Sequence, residues 1–251
     1  MASPTAHLAE IFSGIQGEGV FVGVRHLFVR FCGCNRHCRY CDTREAIEPT
    51  PTCTVEDAPG SRRFTQQPNP FTPERAAEAI LRLSDPPRLH DYASLTGGEP
   101  LLHPDFIIGL APRIAEHGLP IYLETNGTLP DALERVVACV RHISMDIKLE
   151  SATGEPTPWA EHRRFIEVAA LTALQVKIVV TAQTTCDELV GAADLLKGRT
   201  LPAPLVLQPV TPVGGAEPPE PGCLLRWQAR LLRRHPDVRV IPQVHRLMGQ
   251  K

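Results

Sequence analysis

A strict alternation limits the fold of this chain more than any other feature. Short runs rich in Val, Ile and Leu lie at Val24–Phe31, Tyr92–Thr96, Ile121–Glu124, His142–Ile147, Val176–Val180, Leu205–Val210 and Val238–Ile241. Helical patterns separate them at Pro73–Leu83, Pro104–His117, Pro130–Cys139, Trp159–Ala170, Cys186–Leu196 and Leu224–Arg234. Apolar runs of that length suit strands covered on both faces. Pro73 and Pro104 suit a first helical turn, where the missing N–H has no intrahelical partner. Strand alternating with helix predicts parallel βα units with right-handed crossovers, wound into an open sheet or a barrel. In both architectures ligands gather at the carboxyl ends of the strands. Thr96-Gly97-Gly98-Glu99, Glu124-Thr125-Asn126-Gly127, Asp146-Ile147-Lys148 and Gln208-Pro209-Val210 all fall at such ends. They are expected to share one rim.

The 251 residues, 43% of them hydrophobic, suffice for one large core, and the chain reads as a single domain over residues 1–251. A proline-rich stretch at about residues 45–70 breaks the rhythm and reads as an irregular insertion after the first strand. A net charge of −2 gives no basic field for nucleic acid, and 5% aromatic residues give few stacking platforms. No apolar run approaches the roughly 20 residues of a membrane span. Residues 1–10 lack the basic-then-apolar order of a secretory signal. The expectation is a soluble, cytoplasmic protein with neither a nucleic-acid nor a membrane partner.

The eight cysteines are unevenly placed. Cys32, Cys34, Cys38 and Cys41 crowd together, while Cys53, Cys139, Cys186 and Cys223 stand apart. A chain this long needs no disulfide staples, so a tight group reads as metal or redox chemistry. Cys34, Cys38 and Cys41 form C-x3-C-x2-C directly after a predicted strand, and thiolates select zinc, Cu(I) or iron–sulfur clusters. Spacing alone leaves two readings. Three cysteines can hold a [4Fe–4S] cluster with one iron free of protein. Alternatively, Cys32 or His37 completes a tetrahedral zinc site. Cys32 is expected to pack, and the isolated cysteines to serve as small hydrophobes.

The cysteine pattern followed by Gly97-Gly98-Glu99-Pro100 resembles the radical S-adenosylmethionine superfamily. Glu10-Ile-Phe-Ser-Gly-Ile-Gln-Gly-Glu-Gly19 narrows the likeness, together with Arg30, Gly33-Cys-Asn35, Cys41-Asp-Thr43, Gly97-Gly-Glu-Pro-Leu-Leu102, Glu124-Thr-Asn-Gly-Thr128, Asp146-Ile-Lys148 and Pro242-Gln-Val-His245. These stretches resemble the 7-carboxy-7-deazaguanine synthase family from about residue 8 to 248, the insertion excepted.

The resemblance implies an α/β fold, a partial parallel (βα) barrel of about six strands. It implies an enzyme, a carbon–nitrogen lyase that converts 6-carboxy-5,6,7,8-tetrahydropterin to 7-carboxy-7-deazaguanine by ring contraction with loss of ammonia. Such a product feeds 7-deazapurine pathways of the queuosine type. The implied cofactors are a [4Fe–4S] cluster on Cys34, Cys38 and Cys41, S-adenosyl-L-methionine on the open iron, and Mg²⁺ on Thr43. By the same carry-over, cofactor contacts fall on Gly98, Glu99, Thr125, Asn126, Ser144, Asp146, Lys148 and Gln208. Substrate contacts fall on Gln16, Glu18, Arg30, Gly97 and His245. The family also implies a homodimer and a flavodoxin- or ferredoxin-type reductant.

The residue types suit those roles. Gln16 and Glu18 lie two apart, so an extended segment turns both to one face, where amide and carboxylate can read a guanine-like edge. Arg30 can fork onto a carboxylate, and the Thr43 hydroxyl suits a hard Mg²⁺. Plainer roles compete. Gly17 and Gly19 can mark a turn with Glu18 solvated, Thr43 can cap a helix, Asp146 and Lys148 can be a structural pair, and His245 can be an exposed tail residue. Two other functions stay open. An activase placing a glycyl radical on a partner protein fits the cysteines but leaves Gln16, Glu18 and Thr43 without work. A zinc-stabilised binding module needs no catalysis at all, and zinc without iron after anaerobic reconstitution would mark it.

Overall fold

The computed structural model describes residues 3–250. Its strands are β1 (Leu8–Ile15), β2 (Arg25–Phe31), β3 (Thr52–Glu56), β4 (Phe64–Pro68), β5 (Tyr92–Gly97), β6 (Ile121–Thr125), β7 (Val140–Asp146), β8 (Ala173–Val180), β9 (Leu205–Pro209) and β10 (Val238–Val240). They form one ten-stranded sheet in the order β10-β9-β8-β7-β6-β5-β2-β1-β3-β4, open at both edges. From β2 to β10 every neighbouring pair is parallel. Each predicted run is found as a strand. The partial, mostly parallel barrel expected from the sequence is the fold observed, extended by a further antiparallel element on one side.

The helices are α1 (Pro73–Leu83), α2 (Pro104–Ala115), α3 (Pro130–Val136), α4 (Glu150–Thr153), α5 (Trp159–Val168), α6 (Cys186–Asp194), α7 (Pro221–Leu231) and α8 (Val244–Leu247). Starts follow local chemistry. Thr72 accepts a hydrogen bond from the Arg75 amide ahead of Pro73, and Thr185 and Glu188 form a reciprocal capping box on α6. The core lies between the helices and alternate strand residues such as Leu95, Leu123, Ile143, Val176 and Ile178, packed with Ile80, Ile107, Leu133, Phe165 and Leu189.

Strand parity then decides the other face. The residues between those core positions are Thr96, Glu124, Ser144, Asp146, Lys177 and Gln208, and all of them face a cavity. The strands are therefore apolar toward the helices and polar toward the barrel interior. Lower in the barrel this inner face is aromatic, with Tyr122 stacked on His142 at 5.2 Å and Phe21 edge-on to both.

Two parts depart from the sequence reading. The first is β1, for which no strand was expected; it pairs antiparallel with β2. The second is the stretch at 45–70, expected to be irregular. It carries the antiparallel pair β3–β4, joined to the sheet where Glu10 pairs with Thr54 and Ile11 with Val55. Cys53 and Val55 point into the core, and buried Glu56 accepts hydrogen bonds from the Ser13 and Arg62 amides. The prolines sit at strand ends, Pro51 before β3 and Pro68 closing the edge strand β4, where a missing N–H costs no ladder bond. Among the described residues, no helix is long and apolar enough to cross a membrane.

Candidate active site

A cavity of about 810 Å³ opens at the carboxyl ends of the parallel strands. Gln16, Glu18, Arg30, Cys34, Cys38, Cys41, Thr43, Gly97, Gly98, Thr125, Asn126, Ser144, Asp146, Lys148, Gln208 and His245 all border it. Of the site residues carried over from the family resemblance, Glu99 alone does not.

The cysteine loop hangs from the end of β2 and is fastened to the rim of β5. The Gly98 amide donates to Phe31 O at 2.9 Å and the Glu99 amide to Gly33 O at 2.7 Å. Gly97 has φ +105°, and at Gly98 a Cβ would stand 1.8 Å from Gly33 O. Glycine is therefore required for two backbones to pass this closely. The far side of the loop is tied by the Arg39 amide to Thr153 O at 2.9 Å. Thr43 opens a short 3-10 turn at Arg44–Ala46 without its hydroxyl capping that turn.

The donor set fits an iron–sulfur cluster better than zinc. Buried Cys32 is turned away from the cavity, with Sγ 3.7 Å from Thr50 Oγ1. His37 is exposed and its Nδ1 lies 3.9 Å from Glu155 Oε1. Neither completes a four-ligand set, and among the described residues no three His, Cys, Asp or Glu side chains close on a single ion. Cys34, Cys38 and Cys41 instead wall an open space. Burial pushes the Cys34 and Cys38 thiols up, and a cationic metal centre favours their deprotonation.

Glu99 works behind the rim. Its carboxylate accepts from the Leu101 amide at 3.0 Å, from Thr125 Oγ1 at 2.9 Å and from the Asn126 amide at 2.7 Å. Burial nevertheless pushes its pKa up to about 7, against the pull of those donors. Asn126, thus placed, donates to Asn35 Oδ1 at 2.8 Å and accepts from Thr128 Oγ1 at 2.6 Å. The Glu124–Thr128 segment is in this way locked to the cysteine loop.

The floor is a chain of charges. Lys177 on β8 pairs with Glu18 and stands 3.3 Å from Asp146 Oδ1, while Asp146 Oδ2 accepts from Lys148 Nζ at 2.6 Å. Lys148 also reaches the Tyr40 hydroxyl at 3.3 Å. Burial alone would raise Asp146, but Lys148 and Lys177 outweigh it and hold the carboxyl below its ordinary range. Beside this chain, Gln16 Nε2 and Thr96 Oγ1 donate to Glu124 at 2.7 and 2.6 Å. Arg30 Nε lies 2.8 Å from Glu10 Oε1. Ser144 accepts from Gln175 at 2.8 Å, and Gln208 Oε1 is buried with no hydrogen-bond partner among the described residues. An acceptor left so, on the cavity wall, suits a ligand's N–H or O–H.

Sequence reasoning missed Lys177 and gave no role to Glu124, Asp42 or Gln243. A lysine inside an otherwise apolar strand run was the available signal for Lys177, because lysine is almost never buried unpaired.

The radical SAM superfamily model matches residues 28–169. The 7-carboxy-7-deazaguanine synthase of Geobacter sulfurreducens is 42% identical over the full length of both chains. That of Thermococcus kodakarensis is 38% identical, covering 82% of this chain and 84% of its own. The crystal structure of QueE from Escherichia coli superposes with a TM-score of 0.61 at 21% identity, covering 97% of this chain and 95% of that one.

Proposed function

The chain belongs to the 7-carboxy-7-deazaguanine synthases of the radical SAM superfamily, and from that premise we propose how its cavity divides. One end, walled by Cys34, Cys38, Cys41, Gly98, Asn126 and Lys148, holds the [4Fe–4S] cluster and S-adenosyl-L-methionine. The other, walled by Glu18, Arg30, Gly97 and His245, holds 6-carboxy-5,6,7,8-tetrahydropterin. The observation that carries this reading is that both sets border one cavity, so cofactor and substrate would meet within it. Bound there, the cluster supplies reductive cleavage of S-adenosyl-L-methionine, the chemistry that begins hydrogen abstraction from the pterin.

The chain's own residues orient and exclude. Glu18 presents a carboxylate to the N–H donors of the pterin edge, and Arg30 presents a cation to its carboxylate. Gln16 is held by Glu124 and accepts from the Glu18 amide at 3.0 Å, so it fixes the direction of Glu18. Gln208 and Ser144 offer polar atoms to S-adenosyl-L-methionine, and Asp146 and Lys148 balance its charged groups. Thr43 offers its hydroxyl to Mg²⁺ beside the cluster loop.

The partners follow as part of the same reading. A one-electron donor of the flavodoxin or ferredoxin type serves the cluster, and a second copy of the chain completes a homodimer. The open sheet edges support pairing of that kind. One uninterrupted sheet supports a single domain over residues 1–251. Eight free cysteines support a reducing, cytoplasmic setting.

The test is anaerobic reconstitution with iron and sulfide, followed by reductant, S-adenosyl-L-methionine, Mg²⁺ and the pterin. Formation of 7-carboxy-7-deazaguanine is expected. 5′-Deoxyadenosine without it would overturn the substrate, and neither product from an intact cluster would overturn the reading. Glu18→Gln is expected to raise the KM for pterin by about tenfold or more, the scale of one lost charged hydrogen bond. S-adenosyl-L-methionine binding should stay unchanged, and equal weakening of both ligands would remove Glu18 from the substrate end. Thr43→Ala is expected to move the Mg²⁺ midpoint of turnover upward by about tenfold. An unshifted titration would take Thr43 out of the metal site.

A further inference from the structure

Hydrogen bonds not used above converge on one side chain. Gln243 Nε2 donates to Glu18 Oε1 at 2.7 Å and to Asp42 Oδ2 at 2.9 Å, while its Oε1 accepts from Thr211 Oγ1 at 2.5 Å. Arg246 places a guanidinium nitrogen 3.0 Å from the same Asp42 oxygen. The Val244 amide donates to Gly17 O at 2.8 Å. His245 lies so close to Gly17 that a Cβ there would stand 2.2 Å from its Nδ1. The short helix α8 is thereby strapped to the cavity wall. Its attachments lie on the turn after β1, on the residue following Cys41, and on the loop after β9.

Apolar burial does not hold this strap. None of the residues of α8 is buried, and Leu247 and Met248 are exposed. A segment without a buried apolar face opens at low cost unless polar ties fix it. Here the ties run through Asp42 and Gln243, and Asp42 moves with the cysteine loop because it is covalently next to Cys41.

We propose that Asp42 and Gln243 are positioning residues that couple the two ends of the cavity: the cluster steadies the cysteine loop, and Asp42 on that loop holds Gln243 and Arg246, which in turn hold Glu18 and His245 at the substrate. The inference rests on the assignment of Cys41 as a cluster ligand. Its consequence is that the pterin end is completed only once the end that generates the radical is loaded. An unloaded chain then holds an incomplete substrate site.

Amide hydrogen exchange of residues 242–250 tests this, measured on the whole protein with its cluster and after iron removal by chelation. Loss of the cluster is expected to speed exchange there by about tenfold or more, the effect of freeing a charged hydrogen-bond tie. Asp42→Ala, with its cluster loaded, should exchange like the iron-free parent. Its KM for pterin should rise about tenfold while kcat falls by less than about threefold, a loss of binding rather than of chemistry. Asp42→Asn keeps one acceptor oxygen and should recover most of the parental KM. Should Asp42→Ala fail to take up iron, Gln243→Leu carries the test from outside the loop, with parental iron content and the same rise in KM and exchange. Equal strap exchange with and without cluster overturns the proposal, as does a parental KM in Gln243→Leu. Failure of the family reading looks different: the parent itself would make no 7-carboxy-7-deazaguanine, whatever its strap does.

Discussion

Alanine at any one of Cys34, Cys38 or Cys41 is expected to abolish cluster assembly and all turnover, whereas Cys32→Ala keeps the parental iron content. No other cysteine among the described residues borders the cavity, so no thiol stands ready to substitute. Nor can the loop slide to offer one. The Gly33 amide bonds Ala46 O, the Cys41 amide bonds Cys38 O, and Arg39 is tied to Thr153, which fixes the register of all three positions. Cys32 lies one residue outside the loop, where its own amide bonds His7 O and its thiol is buried against Thr50. Removing that sulfur leaves a small cavity and costs stability, not a ligand. The measurement is iron and acid-labile sulfide per chain after reconstitution, with thermal unfolding as the control for folding. Loss of iron in Cys32→Ala at parental stability would show the ligand set to be wrong.

The elements that positioned the site were legible because their periodicity is local. Each parallel strand announces itself as an apolar run, and each helix by its spacing and its opening proline or threonine. β1 hid for a physical reason. A register shift between Leu8 and Glu10 puts Leu8 and Ile11, three residues apart, on the same buried face, and this breaks the two-residue alternation. β3 and β4 hid behind prolines that the sheet edge tolerates. Within the site, roles were readable from the family resemblance, and the strand pattern added that Gly97, Thr125, Asp146 and Gln208 stand at or near the carboxyl ends of strands. What sequence cannot show is which distant side chain answers a charge. Lys177 meets Glu18 across 159 positions, and Gln243 meets the same carboxylate across 225. Glu99 makes the complementary point. A carboxylate after two glycines looks ready for a ligand, yet the Leu101 amide and two donors 26 and 27 positions away, Thr125 Oγ1 and the Asn126 amide, enclose it.

Gly98→Ala is expected to be the most damaging single-methyl change at the rim. The new Cβ would stand 1.8 Å from Gly33 O and 2.6 Å from Gly33 C, and both obstacles are backbone. The two strands cannot separate to relieve the overlap without breaking the bonds from Gly98 N to Phe31 O and from Glu99 N to Gly33 O. Overpacking of this kind costs about 3 kcal/mol. For a chain of this size that lowers Tm by about 6–12 °C. The local result matters more. If the loop backs away, Cys34 leaves its place beside the rim; if the rim backs away, Glu99 loses the position from which it holds Thr125 and Asn126. Either route should reduce cluster loading to a small fraction of parental. Gly118→Ala is the control, because the added methyl at Gly118, whose φ is +76°, meets nothing within 4 Å. Its cost is backbone strain alone, about 1–2 kcal/mol, with iron content intact. Iron per chain and Tm measured side by side separate the two effects. Comparable Tm losses with iron lost only in Gly98→Ala would locate the requirement in the contact between rim and cysteine loop. Parental iron in Gly98→Ala would mean that the loop does not depend on that contact to receive its cluster.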